Sequence, residues 1–338
     1  MERLCDKEEE GFTATSLLNP PPTSSEAPRQ HPRQDYNRAV LSRTDLFLLS
    51  LLTFFWGINW PVMKFAVLTY PPFAFRGLSI AIGLIAIGCY MAFRKDSFFV
   101  PQSERRSLLK LVLGNMVVWH LLAIYAIKHL TSGRAAILGY TMPVWAMLFS
   151  VLFYKKEFTS RGALGVALAL IATLLLAVEE FTSLIGQPIG LILMLLAAMG
   201  WGLGTVMMNH TQMSISNASL TFWMMGLTAI VITFASAVVE SSQWRLPNMG
   251  EWGAILYNGI LVFGLCHIIW FRLARKLPPV ASSLSIMLIP VLGVFSGAWA
   301  LGERVGGFDI SALILILAAM AVVLLPARKQ DPRTQHER

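Results

Sequence analysis

Charge is scarce in this chain. Only 14% of its 338 residues are Asp, Glu, Lys or Arg, against about 25% in an ordinary soluble domain, while 55% are hydrophobic. That depletion excludes a conventional cytosolic enzyme. The three cysteines, Cys5, Cys89 and Cys266, are odd in number and unpaired in spacing, so neither a disulfide framework nor a zinc site is indicated. No His-Glu-x-x-His, Gly-x-Ser-x-Gly or phosphate-cradling Gly-x-x-x-x-Gly-Lys run occurs. The sequence therefore offers no catalytic, metal or cofactor set. Carboxylates are missing where they would say most. All 19 Asp and Glu fall in tails, loops or the ends of apolar blocks, whereas ion coupling and organic-cation recognition in membranes use an intramembrane carboxylate. A multidrug-cation exporter is disfavoured on that ground.

Apolar sequence, by contrast, arrives in regular blocks, and the mean hydropathy is +0.61. Ten spans are predicted at about 46–68, 73–93, 108–127, 135–153, 162–178, 189–208, 220–239, 253–271, 280–301 and 310–325. Each suits a helix crossing about 30 Å of hydrocarbon, and all-round hydrophobicity excludes a β-barrel. The predicted class is an all-α integral membrane protein in a lipid bilayer. Residues 1–44 differ: Glu8, Glu9 and Glu10, the Pro20-Pro21-Pro22 run, Pro28 and Pro32 leave too little apolar content to fold. No cationic start followed by an apolar run marks a signal peptide there. The segment is read as a disordered cytoplasmic tail, and residues 327–338 as a second tail.

The net charge of +8 lies beside the apolar blocks rather than in one patch, so it points to membrane topology and not to nucleic acid. Most of the 27 Lys and Arg fall in the two tails and in the loops after spans two, four and eight. Only Lys128, Arg134, Arg245 and Arg304 fall in loops on the other side. By the positive-inside rule both termini are cytoplasmic, in a multi-pass protein of the cell (inner or plasma) membrane.

An internal repeat sets the architecture. Trp56-Gly57 recurs as Trp201-Gly202, Met63 as Met208, Phe73 as Phe222, Gly77 as Gly226 and His120 as His267. Leu130 recurs as Leu277, Pro143-Val144 as Pro290-Val291 and Glu157 as Glu303, with offsets that stay between 145 and 149. Five spans per copy force the second copy to enter the membrane from the opposite side. The expected arrangement is two inverted five-helix repeats, 45–178 and 189–326, with a substrate site near the midplane between them.

The run Phe55-Trp56-Gly57-Ile58-Asn59-Trp60-Pro61-Val62-Met63-Lys64 resembles the opening helix of the EamA family of drug/metabolite transporters. Residues 135–164, with Pro143 and Glu157, resemble that family's fourth helix and its following loop. Residues 280–307, with Pro290, Gly302 and Glu303, resemble its ninth. The resemblance covers about residues 45–326 and implies a ten-helix permease, often an exporter of amino acids or other small metabolites. His120 and His267 depart from the small or apolar residues expected at their places, so the resemblance does not assign them.

Several polar and bend-forming residues fall inside spans. Pro61, Pro143 and Pro290 each remove a backbone donor and are expected to bend three helices around a central cavity, a benign packing kink being the alternative. Lys64 and Arg76 sit about four residues from the same end of spans one and two. They are expected either to line an outer vestibule that attracts an anionic group or to snorkel to the interface. His120 and His267 are either buried neutral rings or groups that touch substrate or carry a proton. Asn59, Asn115, Tyr140, Asn209 and Ser285 offer uncharged hydrogen bonds, and Trp60, Trp119 and Trp223 offer flat surfaces for a substrate. Glu157 and Glu303 are expected to organise helix ends. The glycine steps from Gly200 to Gly204 and Gly297 to Gly306 are expected to allow close helix packing. The sequon at Asn217 falls in a predicted cytoplasmic loop.

The expectation is an alternating-access permease that exports small zwitterionic or anionic metabolites, amino acids leading. A sugar-nucleotide or lipid-linked sugar transporter is the alternative, and a receptor or scaffold built on the N-terminal tail is a third class. A homodimer through peripheral spans is compatible with this composition and required by nothing in it.

Overall fold

A computed structural model describes residues 42–182, 188–273 and 279–325. The two tails predicted from the sequence lie outside the described residues, apart from 42–44. Each of the ten predicted spans is a helix. In chain order they are α1 (Arg43–Thr69), α2 (Pro72–Arg94), α3 (Arg105–His129), α4 (Ser132–Tyr154), α5 (Ser160–Thr182), α6 (Pro188–Asn209) and α7 (Asn217–Val239). α8 runs from Met249–Leu256 through Tyr257–Leu265 to Cys266–Leu273; α9 is Pro279–Leu301 and α10 is Gly307–Leu324. Two of the ten contain π-helical stretches: α3 at Val112–Val117 and α8 at Tyr257–Leu265.

The repeats interleave instead of forming separate lobes. α1 packs along α9 and α6 along α4; α3 lies on α6 as α8 lies on α1; α2 meets α8 as α7 meets α3. α2 pairs with α7, and α5 with α10. Each of these contacts is carried onto another, or onto itself, by exchanging the two five-helix halves, as an inverted repeat requires. Even the helix ends correspond. α4 closes on Lys155 with φ 51° and the turn after α9 uses Gly302 with φ 65°, 147 positions apart in the chain.

Small residues set the closest approaches. The run Gly200-x-Gly202-x-Gly204 wedges α6 between two neighbours: Gly200 faces Val118 and Gly204 faces the backbone of Asn115 on α3, while Gly202 faces Trp145 and the Met142 carbonyl on α4. With little hydrophobic drive between helices in lipid, such close backbone packing holds the bundle together. At Pro143 the helix is interrupted. α4 breaks after Gly139, Thr141 donates back to the Leu138 carbonyl through both its N–H (3.1 Å) and its hydroxyl (2.7 Å), and Pro143 falls in the first turn of the restarted helix. There its missing N–H removes no helical bond. Pro61, and Pro290, the counterpart of Pro143 in the second repeat, lie inside continuous helices.

A β-carbon on Gly204 would stand 2.7 Å from the Asn115 backbone nitrogen, whereas one on Gly253 meets nothing within 4 Å. Gly204→Ala is expected to cost about 1–3 kcal/mol through overpacking. Gly253→Ala should be neutral or slightly stabilising. Thermal unfolding of the two detergent-purified variants against wild type checks the contrast.

Candidate substrate site at the bundle midplane

The ends of α1 and α3, the starts of α2, α4, α8 and α10, and the end of α7 gather at one end of the bundle, and carboxylates tie them together. Glu240, at the end of α7, accepts from the Phe73 and Ala74 N–H groups that open α2, both at 2.9 Å, and from the Ser236 hydroxyl. Glu303 accepts from the Ser132 N–H at 2.8 Å and the Ser132 hydroxyl at 2.7 Å at the start of α4. Arg134 binds Asp309 and Glu179, each at 2.7 Å. Glu251 accepts from the Thr69 hydroxyl at 2.7 Å and pairs with Arg245, which also holds the Thr69 carbonyl. Tyr70 lies under this group with the Arg245 guanidinium 5.2 Å over its ring; burial pushes the phenol upward and Arg245 opposes that shift.

Lys64 belongs to this end as well. Its Nζ donates to the Ile127 and Lys128 carbonyls at 3.1 and 3.0 Å, completing the last turn of α3, where a cation also meets the negative end of the helix dipole. Arg76 turns the other way. It is the fifth residue of α2, yet its guanidinium is buried (4% exposed), with Nη2 on the Met63 sulfur at 2.8 Å and the group 5.4 Å over the Phe263 ring. No carboxylate pairs with it among the described residues, and its Nε has no partner.

Below the capped end the polar and aromatic side chains of four helices fall in one layer. Asn59 and Trp60 lie ten and nine residues before the end of α1, Trp119 and His120 ten and nine before the end of α3, Asn258 nine after the start of α8, and Tyr140 eight after the start of α4. At 1.5 Å per residue these depths are between about 12 and 15 Å, the middle of a hydrocarbon core about 30 Å thick. Ring contacts knit the layer. Trp60 meets Trp119 edge-on at 6.5 Å and Tyr140 at 6.3 Å, Trp119 meets Trp201 at 5.3 Å, and His120 meets Phe263 at 5.5 Å. His267 stands against the far side, 6.2 Å from both Phe263 and Trp56, with Nδ1 3.1 Å from the Val262 carbonyl.

Besides Lys64, three of the residues singled out from the sequence lie elsewhere. Asn209 is exposed at the last turn of α6. Trp223 donates its indole N–H to the Phe98 carbonyl at 2.8 Å, pinning the loop before α3. Ser285 is buried against the Thr53 hydroxyl where α9 crosses α1. Conversely, Asn258, Phe263 and Met63 belong to the layer and gave no signal of it, since two are apolar and Asn258 is one amide in an apolar run. A cavity of about 540 Å³ opens between α2 and α7 at the capped end, walled by Phe73, Gly77, Thr233, Trp244 and Trp252 among others. None of the layer's polar residues lines it.

Glu303 and Glu157 correspond in the two repeats, but Glu157 is exposed and makes no hydrogen bond among the described residues. Glu303→Ala strands two helix-opening donors and is expected to lower stability by about 1–3 kcal/mol, while Glu157→Ala should leave it unchanged. Melting curves of the two variants read this difference.

The sequence matches the EamA-like transporter family twice, over residues 44–178 and 188–325. It is 24% identical over 258 residues to the "Uncharacterized transporter YoaV" of Bacillus subtilis (strain 168), covering 75% of this chain and 87% of that protein. It is 26% identical over 297 residues to a "Probable amino-acid metabolite efflux pump" of Salmonella typhimurium (strain LT2), covering 83% and 95%. One crystal structure superposes with a TM-score of 0.57 at 19% identity, over 84% of this chain and 98% of its own, which shows a shared fold. With both repeats matched across nearly the whole helical bundle, the chain belongs to the EamA-like transporter family.

Proposed function

We propose that the chain exports small zwitterionic or anionic metabolites, amino acids first among them, by alternating access, with substrate held in the midplane layer between the two repeats. The observation that carries this reading is Arg76. A guanidinium without a counter-ion at membrane depth is expensive, and a substrate carboxylate placed beside its free Nε removes most of that expense. Trp60, Trp119 and Tyr140 give such a substrate an aromatic wall, and His120 adds a ring nitrogen within the same layer. The relative named an amino-acid metabolite efflux pump supports the substrate class. The positive-inside distribution puts both termini in the cytoplasm, which makes the carboxylate-capped end the outer one. The separation of Lys64 from Arg76 speaks against a sugar-nucleotide substrate, for which the two cations would act together on phosphate.

The test is metabolite profiling of cells and medium after controlled expression at matched membrane abundance. Wild type is expected to raise one amino acid or organic acid outside the cell. Arg76→Met should cut that flux by about tenfold or more, the worth of a charged hydrogen bond, while melting no lower than wild type because a buried charge has been removed. Lys64→Met should keep the flux and lose thermal stability. Equal export by wild type and Arg76→Met would overturn the assignment. A chain without its first 40 residues that fails to export would turn attention to a tail-based receptor or scaffold.

A further inference from the structure

Four buried side-chain atoms without a hydrogen-bond partner belong to this layer: Arg76 Nε on α2, His120 Nδ1 on α3, and the carboxamide oxygens of Asn59 on α1 and Asn258 on α8. Buried polar groups are paired in the great majority of cases, and each unpaired one costs on the order of 1–3 kcal/mol. The four come from four neighbouring helices, three of them at the layer's depth and Arg76 reaching toward it onto Met63 and Phe263, and they call for a common partner. Their placement is consistent from every side. Asn59 is one helical turn from Met63, the residue that Arg76 touches. Asn258 is fully buried between Tyr257, whose hydroxyl donates to the Phe55 carbonyl of α1, and Gly259, which abuts Ile82 and the Ser79 carbonyl of α2. The Asn258 amide nitrogen is already committed to the Ala254 carbonyl at 3.3 Å, which leaves the oxygen as its free end.

The four atoms are of two kinds. Arg76 Nε is a donor, and His120 Nδ1 donates in the tautomer that carries its hydrogen; both suit a carboxylate. The two carboxamide oxygens only accept, so they suit a group rich in N–H. A plain carboxylate would satisfy the first pair and leave the second unpaired beside it. We infer that the layer reads both ends of a zwitterion, with Arg76 and His120 on the carboxylate and the Asn59 and Asn258 oxygens on the ammonium, so that the substrate is an α-amino acid with an uncharged side chain. This rests on the proposed function and narrows it. No Asp or Glu lies in the layer among the described residues, so a second cationic group on the substrate would face Arg76 with nothing to offset it. The aromatic wall of Trp60, Trp119 and Tyr140 receives an uncharged side chain instead.

The discriminating comparison is between an amino acid and its own 2-oxo acid, which keeps the carboxylate and loses the ammonium. Full-length protein in detergent is screened by thermal shift against the uncharged L-amino acids, L-lysine and the matching 2-oxo acids. The pair with the largest shift is then measured by counterflow in proteoliposomes. Wild type should prefer the amino acid to its 2-oxo acid by about tenfold or more and ignore lysine. Asn258→Leu and Asn59→Leu should bring that ratio near one by weakening the amino acid alone, whereas Arg76→Met should lose both compounds. Should Asn258→Leu not fold, Asn258→Asp keeps the shape, and it should retain the amino acid while rejecting the 2-oxo acid. The inference is overturned if wild type takes the 2-oxo acid as well as the amino acid, if no amino acid is bound, or if the ratio survives both asparagine substitutions. Binding that is indifferent to Arg76→Met sinks the underlying transport reading as well, which separates the two failures.

Discussion

Where water is excluded, every helix end must find its partners inside the protein, and this chain meets that requirement mostly with carboxylates reaching from one repeat to the other. Glu240 and Glu303 belong to the second repeat, and the helix starts they satisfy, those of α2 and α4, belong to the first. Lys64 does the converse service within its own repeat, closing the last turn of α3. The same residues that complete hydrogen bonding therefore also fasten the halves to each other. A carboxylate at a helix start adds a favourable interaction with the dipole, so each contact answers two electrostatic demands.

The repeat makes part of this fastening symmetric. Glu251, which opens α8, receives the Thr69 hydroxyl at the end of α1. Glu104, just before α3, receives the Ser214 N–H and hydroxyl at 3.0 and 2.6 Å in the segment after α6. Glu104 and Glu251 are 147 positions apart and Thr69 and Ser214 are 145 apart, so one device appears at both ends of the bundle. The ion pairs of Arg134 with Asp309 and Glu179 have no such twin, because Ala281 stands at the position matching Arg134. The two ends of an inverted repeat need not be held with equal strength. A difference of a kilocalorie or two between two such sets of contacts is enough to favour one access state over the other by tenfold.

The ten spans and their inverted pairing were legible because they rest on properties that survive averaging: block hydrophobicity, helix length, and a repeat marked by rare residues such as Trp56, Pro143 and Glu303. What composition could not supply was direction. Lys64 and Arg76 look alike in sequence, each a few residues inside a span, but Lys64 turns to a helix end while Arg76 reaches inward across Met63. Side chains that long choose between two environments about a helical turn apart, and only the neighbouring backbone decides. Asn258 stayed hidden for a different reason. It lies in a π-helical stretch, where the 3.6-residue period that assigns residues to faces no longer holds.

The midplane layer also explains why its polar residues sit where they do, despite their cost to stability. A bundle selected for stability alone would place leucine at 76 and 258 and lose two of the four unpaired atoms. On the proposed function, an uncompensated guanidinium and two bare amide oxygens inside the bundle would leave the empty carrier under a tension that a complementary ligand relieves. For a transporter that tension has a use. A carrier that is well satisfied when empty gains little on binding, and binding energy is what drives the population from one access state to the other. On the proposed function, the polar atoms left unpaired in the layer and the carboxylate-held helix ends above it divide the work: the ends would set which conformations exist, and the layer would make the choice between them depend on cargo.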